Sequence, residues 1–303
     1  MFKYLFSYLL FSLALFGSDL NTSIIDKYYD SLCQILVDSS NSIDDYFIDS
    51  NTTQTNKTEA ELKTYFAVEN GRKSEYAMRL RLHIDLPKIR HKLRLVFEDE
   101  DSDNVFADGT QLDNQYKIDK KHYFLRLDYF TYIRKKLNLT SGVGVKFKGL
   151  SLKPYINLKA RYKIEDYKIV LGNRFRFYFD DKSYEDTFTA NRLRYLNESS
   201  YLLFSNYFGY RSDSSYSKLV NRVSVTKILS YRREESAGFL LQSHFINLKY
   251  YFNYPQVYMA YRDLLYKNWL YYELTPSVLW REENNYSLSY RFMISIGAKF
   301  KKN

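Results

Sequence analysis

EYAMRLRLHIDLPKIRHKLRLVFED, residues 75–99, decides how the rest of the chain is read. Tyr76, Met78, Leu80, Leu82 and Ile84 alternate with Ala77, Arg79, Arg81, His83 and Asp85. After a short Leu-Pro-Lys-Ile-Arg turn, Leu93, Leu95 and Phe97 alternate with Lys92, Arg94, Val96 and Glu98. Side chains of a strand point to opposite faces with a period of two, so each half is a strand with one apolar and one charged face. A helix would place its apolar residues three and four apart, and this stretch does not.

The same unit recurs to the end of the chain. Strands are expected near 60–69, 73–86, 89–99, 121–134, 137–148, 153–165, 167–180, 184–196, 199–211, 216–229, 234–246, 250–262, 268–281 and 285–300, about fourteen, with twelve as the alternative. Most are longer than the roughly 5–6 residues of a soluble strand and match the roughly 9–11 needed to cross a bilayer at a tilt. The last is the most regular: Leu288, Tyr290, Phe292, Ile294 and Ile296 alternate with Ser289, Arg291, Met293, Ser295 and Gly297. The fold class that follows is all-β, an antiparallel transmembrane β-barrel over residues 59–303. A mean hydropathy of −0.47 does not oppose this, because only alternate residues of such a barrel face lipid.

The first 58 residues differ. MFKYLFSYLLFSLALFGS, residues 1–18, has a basic start, a short apolar core and small residues at its end, the pattern of a secretory signal peptide. Residues 19–58 form an acidic leader and linker. Ile24, Ile25, Tyr28, Tyr29, Leu32, Ile35 and Leu36 recur at helical spacing, with Ile24, Tyr28, Leu32 and Ile35 as an apolar face in need of a partner. Ser39–Ser42 is expected to interrupt that helix, with a further helical turn at 44–48. Residues 19–56 hold seven acidic residues against Lys27 alone, whereas residues 57–303 hold 43 basic and 28 acidic residues. The leader is therefore expected to dock at the periplasmic mouth of the barrel, with Asp44, Asp45 and Asp49 as candidate plug residues; binding a separate periplasmic partner is the alternative. If the leader is periplasmic, the acidic connection 100–120 lies outside the cell.

These features resemble the bacterial outer-membrane β-barrel class. The terminal strand Ile294–Phe300 is similar to the C-terminal signal read by the barrel-assembly machinery, although here Lys301, Lys302 and Asn303 follow the aromatic residue. More narrowly, the acidic helical leader, the Lys92–Asp99 run and the acidic loop after it resemble a family of uncharacterised proteobacterial outer-membrane proteins. That resemblance implies a location in the outer membrane and a barrel assembled by that machinery, not an activity.

Chemistry is sparse. The single cysteine, Cys33, excludes an internal disulfide. No histidine stands in the His-x-Ser-Asn-like motif of barrel lipid hydrolases: the runs are His83-Ile-Asp, His91-Lys-Leu, His122-Tyr-Phe and His244-Phe-Ile. His83 and Asp85 share a face, which reads as an ion pair near a turn. Metal-ligand spacing is absent, no cofactor is implied, and the spread of basic residues over successive strands does not make a nucleic-acid patch. What remains is the charged face. Arg79, Arg81, Arg94, Arg126, Arg161, Arg174, Arg176, Arg222 and Arg291, with Glu98, Asp128 and Glu273, are expected to face the lumen. Three readings stay open: a monomeric, basic-lined pore for small anionic solutes, a closed barrel serving as envelope scaffold or partner-binding protein, and a barrel lipid hydrolase.

Overall fold

A computed structural model describes residues 22–47, 58–86, 93–99, 122–133, 136–148, 151–213, 216–247 and 249–301. The signal peptide, most of the linker, Asp49 and the acidic connection 100–121 lie outside the described residues. The chain forms one helix, α1 (Thr22–Phe47), and fourteen strands. They are β1 (Glu59–Glu69), β2 (Glu75–Leu86), β3 (Leu93–Asp99), β4 (His122–Ile133), β5 (Leu137–Lys148), β6 (Ser151–Ile164) and β7 (Ile169–Tyr178). They continue as β8 (Tyr184–Asn197), β9 (Ser200–Arg211), β10 (Tyr216–Ile228), β11 (Arg233–Ile246), β12 (Lys249–Tyr266), β13 (Leu270–Trp280) and β14 (Leu288–Lys301).

Each strand pairs antiparallel with its sequence neighbours, and β1 closes on β14 from Glu59 opposite Lys301 to Glu69 opposite Arg291. Closure leaves no sheet edge, and every strand finds two partners for its backbone groups. The register separates two faces. Phe66, Val68, Tyr76, Leu80, Val143, Val257, Met259, Tyr290 and Phe292 stand on one face and are well exposed. Lys63, Glu69, Glu98, Arg126, Arg176, Glu273 and Arg291 stand on the other and are buried. Some buried pairs join strands that are not neighbours, such as Arg176 on β7 with Glu98 on β3, so the charged face is the inside. This inverts the order of a soluble protein, and a solvent of low polarity around the wall accounts for it.

Details depart from the sequence reading. β12 runs on to Tyr266, four residues past the expected end, with irregularities beside Ser243 and between Leu264 and Tyr266. β14 starts at Leu288, not 285: Glu282–Asn284 form a 3-10 turn, and Asn285 and Tyr286 take positive φ. Pro276 in β13 lacks an N–H, and pairing to β12 is interrupted at Thr275 and Pro276.

The leader is one continuous helix, not a helix broken at Ser39–Ser42. The hydroxyls of Ser31 and Ser42 donate to the carbonyls of Lys27 and Asp38, four residues back, at 2.7 and 2.8 Å. Bonding of this kind lets serine sit inside a helix without ending it. The helix contacts β2 and β14. Tyr29 stacks on Trp269 (centroids 4.7 Å apart) and on Phe300 (5.9 Å), and donates to the carbonyl of Lys301 at 3.1 Å. Ile25 joins the same cluster, with Leu270 and Ala298 beneath. By register Leu270, Ala298 and Phe300 point outward, so α1 rests against the outside of the wall, at the end where both termini lie. The packed stripe runs through Ile25, Tyr29, Cys33 and Ser40. Of the face expected to dock, Ile24, Tyr28, Leu32 and Ile35, the last three are exposed and the side chain of Ile24 lies outside the described residues. The side chains of Asp44 and Asp45 lie outside the described residues.

Candidate functional site, the barrel lumen

All twelve charged residues selected from the sequence point inward by register. They fall into groups. The largest is on β3 to β9, around Glu98. Arg126 donates through Nε to both oxygens of Asp128, each at 3.0 Å, and through Nη1 to Glu98. Arg176 reaches Glu98 at 3.6 Å and Glu185 at 3.5 Å. Lys146 meets Glu185 at 3.2 Å. Phe124, Tyr155 and Tyr178 pack together among these charges, and the Arg176 guanidinium sits 4.1 Å from the Phe124 ring centre. Gly144 makes room for Tyr155: a Cβ there would fall 2.7 Å from the Tyr155 ring. Arg94 is the register partner of Asp128.

A second group gathers at the end of the barrel away from the termini. Arg281 donates to both oxygens of Glu69, at 2.7 and 2.8 Å, and is fully buried. Arg291 reaches Glu69 at 3.6 Å and Glu75 at 3.1 Å. Fixed forks of this kind suit Arg–carboxylate pairing.

The third group lies toward the termini. Lys63 is 3.7 Å from Glu273 and 5.0 Å from the Tyr65 ring centre, which Arg79 also faces at 5.4 Å. Tyr271 donates to Glu61 at 2.8 Å, and Arg81 lies 4.0 Å from the same carboxylate. Arg222, on β10, bonds the Tyr258 hydroxyl.

Between these groups β6 presents Lys153, Tyr155, Asn157, Lys159, Arg161 and Lys163 inward along its whole length. Its neighbour β7 adds Arg174 and Arg176 opposite Lys159 and Asn157. These inward positions are basic at both ends of β6, with Tyr155 and Asn157 between them; Lys153 is paired with Asp180 and Asp181, and Arg176 with Glu98 and Glu185.

The side chains of His91 and His122 lie outside the described residues, and the two described histidines have aromatic or carboxylate neighbours. His83 lies 3.3 Å from Glu59, a partner the sequence reading did not assign, and the side chain of Asp85 is outside the described residues. His244 stacks on Tyr251 at 5.1 Å, while its neighbour Ser243 faces outward and bonds Tyr250 at 2.8 Å. Among the described residues no three His, Cys, Asp or Glu side chains converge as a metal site. A depression of about 720 Å³ beside Pro276 is lined largely by outward residues, Val257, Met259, Val278 and Phe292 among them, and belongs to the outer wall.

The sequence reading passed over Lys63, Glu69, Glu185 and Arg281, which hold the networks together, and the inward aromatics Phe124, Tyr155 and Tyr178. Parity could have found the aromatics, since each shares a face with a selected arginine.

Closed antiparallel meander, even strand number, apolar outside and charged inside together identify the architecture. The fold is that of a bacterial outer-membrane β-barrel. No family model and no curated protein matches the sequence. Among solved structures, a CymD monoaromatic hydrocarbon channel aligns at 9% identity and a TM-score of 0.49, over 82% of this chain and 90% of that one. OmpT with loop L8 deleted, an outer membrane protein of Vibrio cholerae, aligns at 10% and 0.45, over 81% and 99%. The outer membrane channel DcaP of Acinetobacter baumannii aligns at 8% and 0.44, over 82% and 96%. At this distance the fold assignment stands on the strand pairing of the chain itself.

Proposed function

We propose that the protein is an outer-membrane pore for small anionic solutes. The observation that carries this reading is the set of inward basic residues on β6 and β7, Lys153, Lys159, Arg161, Lys163 and Arg174, placed toward both ends of the lumen on either side of Tyr155 and Asn157. Barrel width supports it. Eight strands enclose about as much room as side chains fill, and sixteen to eighteen leave an aqueous channel. Fourteen strands fall between, so charged groups on opposite walls need not meet. The contact from Arg176 to Glu98 spans four strands of the fourteen. The paired charges hold the wall side chains in place, and the inward cations of β6 and β7 attract an anion moving past. Rings and rows of fixed charge select by sign in this way. In this reading the terminal end of the barrel, with α1, faces the periplasm.

Single-channel recording in planar bilayers tests the proposal. Discrete conductance steps are expected, with a reversal potential under a KCl gradient on the anion-selective side. Lys159→Gln, Arg161→Gln and Lys163→Gln together are expected to move that potential toward zero. Folded protein that gives no steps at any voltage overturns the pore and leaves the closed scaffold, which the packed networks around Glu98 and Glu69 would suit.

A further inference from the structure

The exposed face of α1 has an orientation that the rim contacts fix. Asp26 lies 2.7 Å from Lys267 Nζ and accepts from the Tyr266 hydroxyl at 3.2 Å. Lys267 belongs to the turn between β12 and β13, the tip of the barrel at this end. The edge of the helix carrying Asp26 and Asp30 therefore faces the tip and the water beyond it. With 3.6 residues per turn, the centre of the Tyr28, Leu32 and Ile35 edge lies roughly 100° round the axis from the wall-packed stripe, on the side opposite Asp26. That edge faces up the wall, toward the apolar belt. Its side chains are 69%, 45% and 58% exposed, although Cys33 between them is only 4% exposed. An interfacial helix sets an apolar face into the headgroup–acyl boundary and keeps a charged face in water; in α1 that charged face is acidic.

We infer that Tyr28, Leu32 and Ile35 are embedded in the phospholipid leaflet at the terminal end of the barrel, making α1 an interfacial helix fixed to the outside of the wall. This rests on the membrane reading of the barrel but not on the pore. The helix continues the outward apolar face of β14 and β2, to which it is packed, and its acidic edge disfavours anionic headgroups. The occupant is the acyl–headgroup boundary of a zwitterionic phospholipid. Seating in lipid also explains why a helix that uses one stripe for the wall retains a second apolar stripe beside it.

The test uses the full chain with Cys33→Ser and one new cysteine, carrying an environment-sensitive fluorophore, in phosphatidylcholine vesicles whose acyl chains are brominated near the headgroup. Labels at Leu32→Cys and Ile35→Cys are expected to be blue-shifted and quenched severalfold more than labels at Asp30→Cys and Asp38→Cys. Equally weak quenching at all four overturns the inference. Disulfide dimers through Leu32→Cys without quenching overturn it in favour of a second copy. A label at Val257→Cys, on the outer wall, reports on the barrel: its failure to quench removes the membrane reading and this one with it. With Cys33 kept, Leu32→Asp plus Ile35→Asp is expected to speed maleimide labelling of Cys33 in vesicles about tenfold, because charge drives the helix off its seat. An unchanged rate places that edge in water and overturns the inference.

Discussion

Single residues decide how firmly the lumen is held. Glu69 is buried and meets three arginines, Arg72, Arg281 and Arg291, of which Arg281 is fully buried and Arg291 nearly so. Removing one member of such a pair leaves the other charge desolvated and unmatched, a cost on the order of 3–5 kcal/mol. Glu69→Ala is therefore expected to lower the chemical unfolding midpoint substantially. Glu283→Ala is expected to change it by no more than about 1 kcal/mol, since the Glu283 side chain is 40% exposed, its pair with Arg72 is a surface one, and at 4.0 Å from Arg281 it leaves that guanidinium its two bonds to Glu69. Equal midpoints for the two variants would show that water reaches Arg281 freely. The inward direction of these charges was legible in the sequence because a strand has only two faces: once Leu80 and Leu82 point to lipid, Arg79 and Arg81 have one place to go. Their partners were not legible. Arg281 and Glu69 lie 212 positions apart, and only barrel closure brings them together.

Among the elements, strands were easier to read than the helix. Period-two alternation survives the noise of individual residues, and the span of β5 appears in the sequence to the residue. The helix was read with the wrong break and the wrong packing face, for two physical reasons. Serine at 31 and 42 satisfies its hydroxyl within the helix, and two apolar stripes stand side by side, so the choice between them depends on what the wall offers. Opposite net charges favoured the mouth, but Trp269 and Phe300 give Tyr29 an aromatic seat outside it. One polar contact tunes that seat. The Lys267 ammonium beside Asp26 holds its carboxyl below the ordinary value of 3.8, and Asp26 in turn raises Lys267 above its ordinary 10.5. A depressed carboxyl stabilises docking above the unfolded-state value and loses that contribution as pH falls through the folded one; a raised ammonium loses its contribution as pH climbs past 10.5. Docking should therefore be flat between about pH 5 and pH 9 and weaken on the acid side below about pH 4. Trp269 emission in a Trp280→Phe background should report this, and Asp26→Asn should abolish the acid transition. A transition that persists in Asp26→Asn would assign it to another group.

Seen as a whole molecule, the barrel depends on the solvent outside it. Leu127 points outward from β4 between Leu95 and Val143. Leu127→Arg is expected to destabilise the folded protein by about 2–4 kcal/mol in lipid if it lies near the midplane, and Thr189→Arg, on the lumen side of β8, much less. Denaturant titration in phospholipid vesicles measures both; equal losses would mean that the outer wall does not face hydrocarbon. The contact between Tyr29 and Lys301 joins residues 272 positions apart. In chain order this is the leader waiting for the final strand. Synthesis delivers α1 first, yet its seat is built from Trp269, Phe300 and the end of β14, which arrive last. Until they do, α1 has only its contacts with β2 and lacks the aromatic seat of Tyr29. The full seat of α1 thus forms only with the last strand, and a chain truncated before residue 269 would lack the Tyr29 half of it however many strands it had formed.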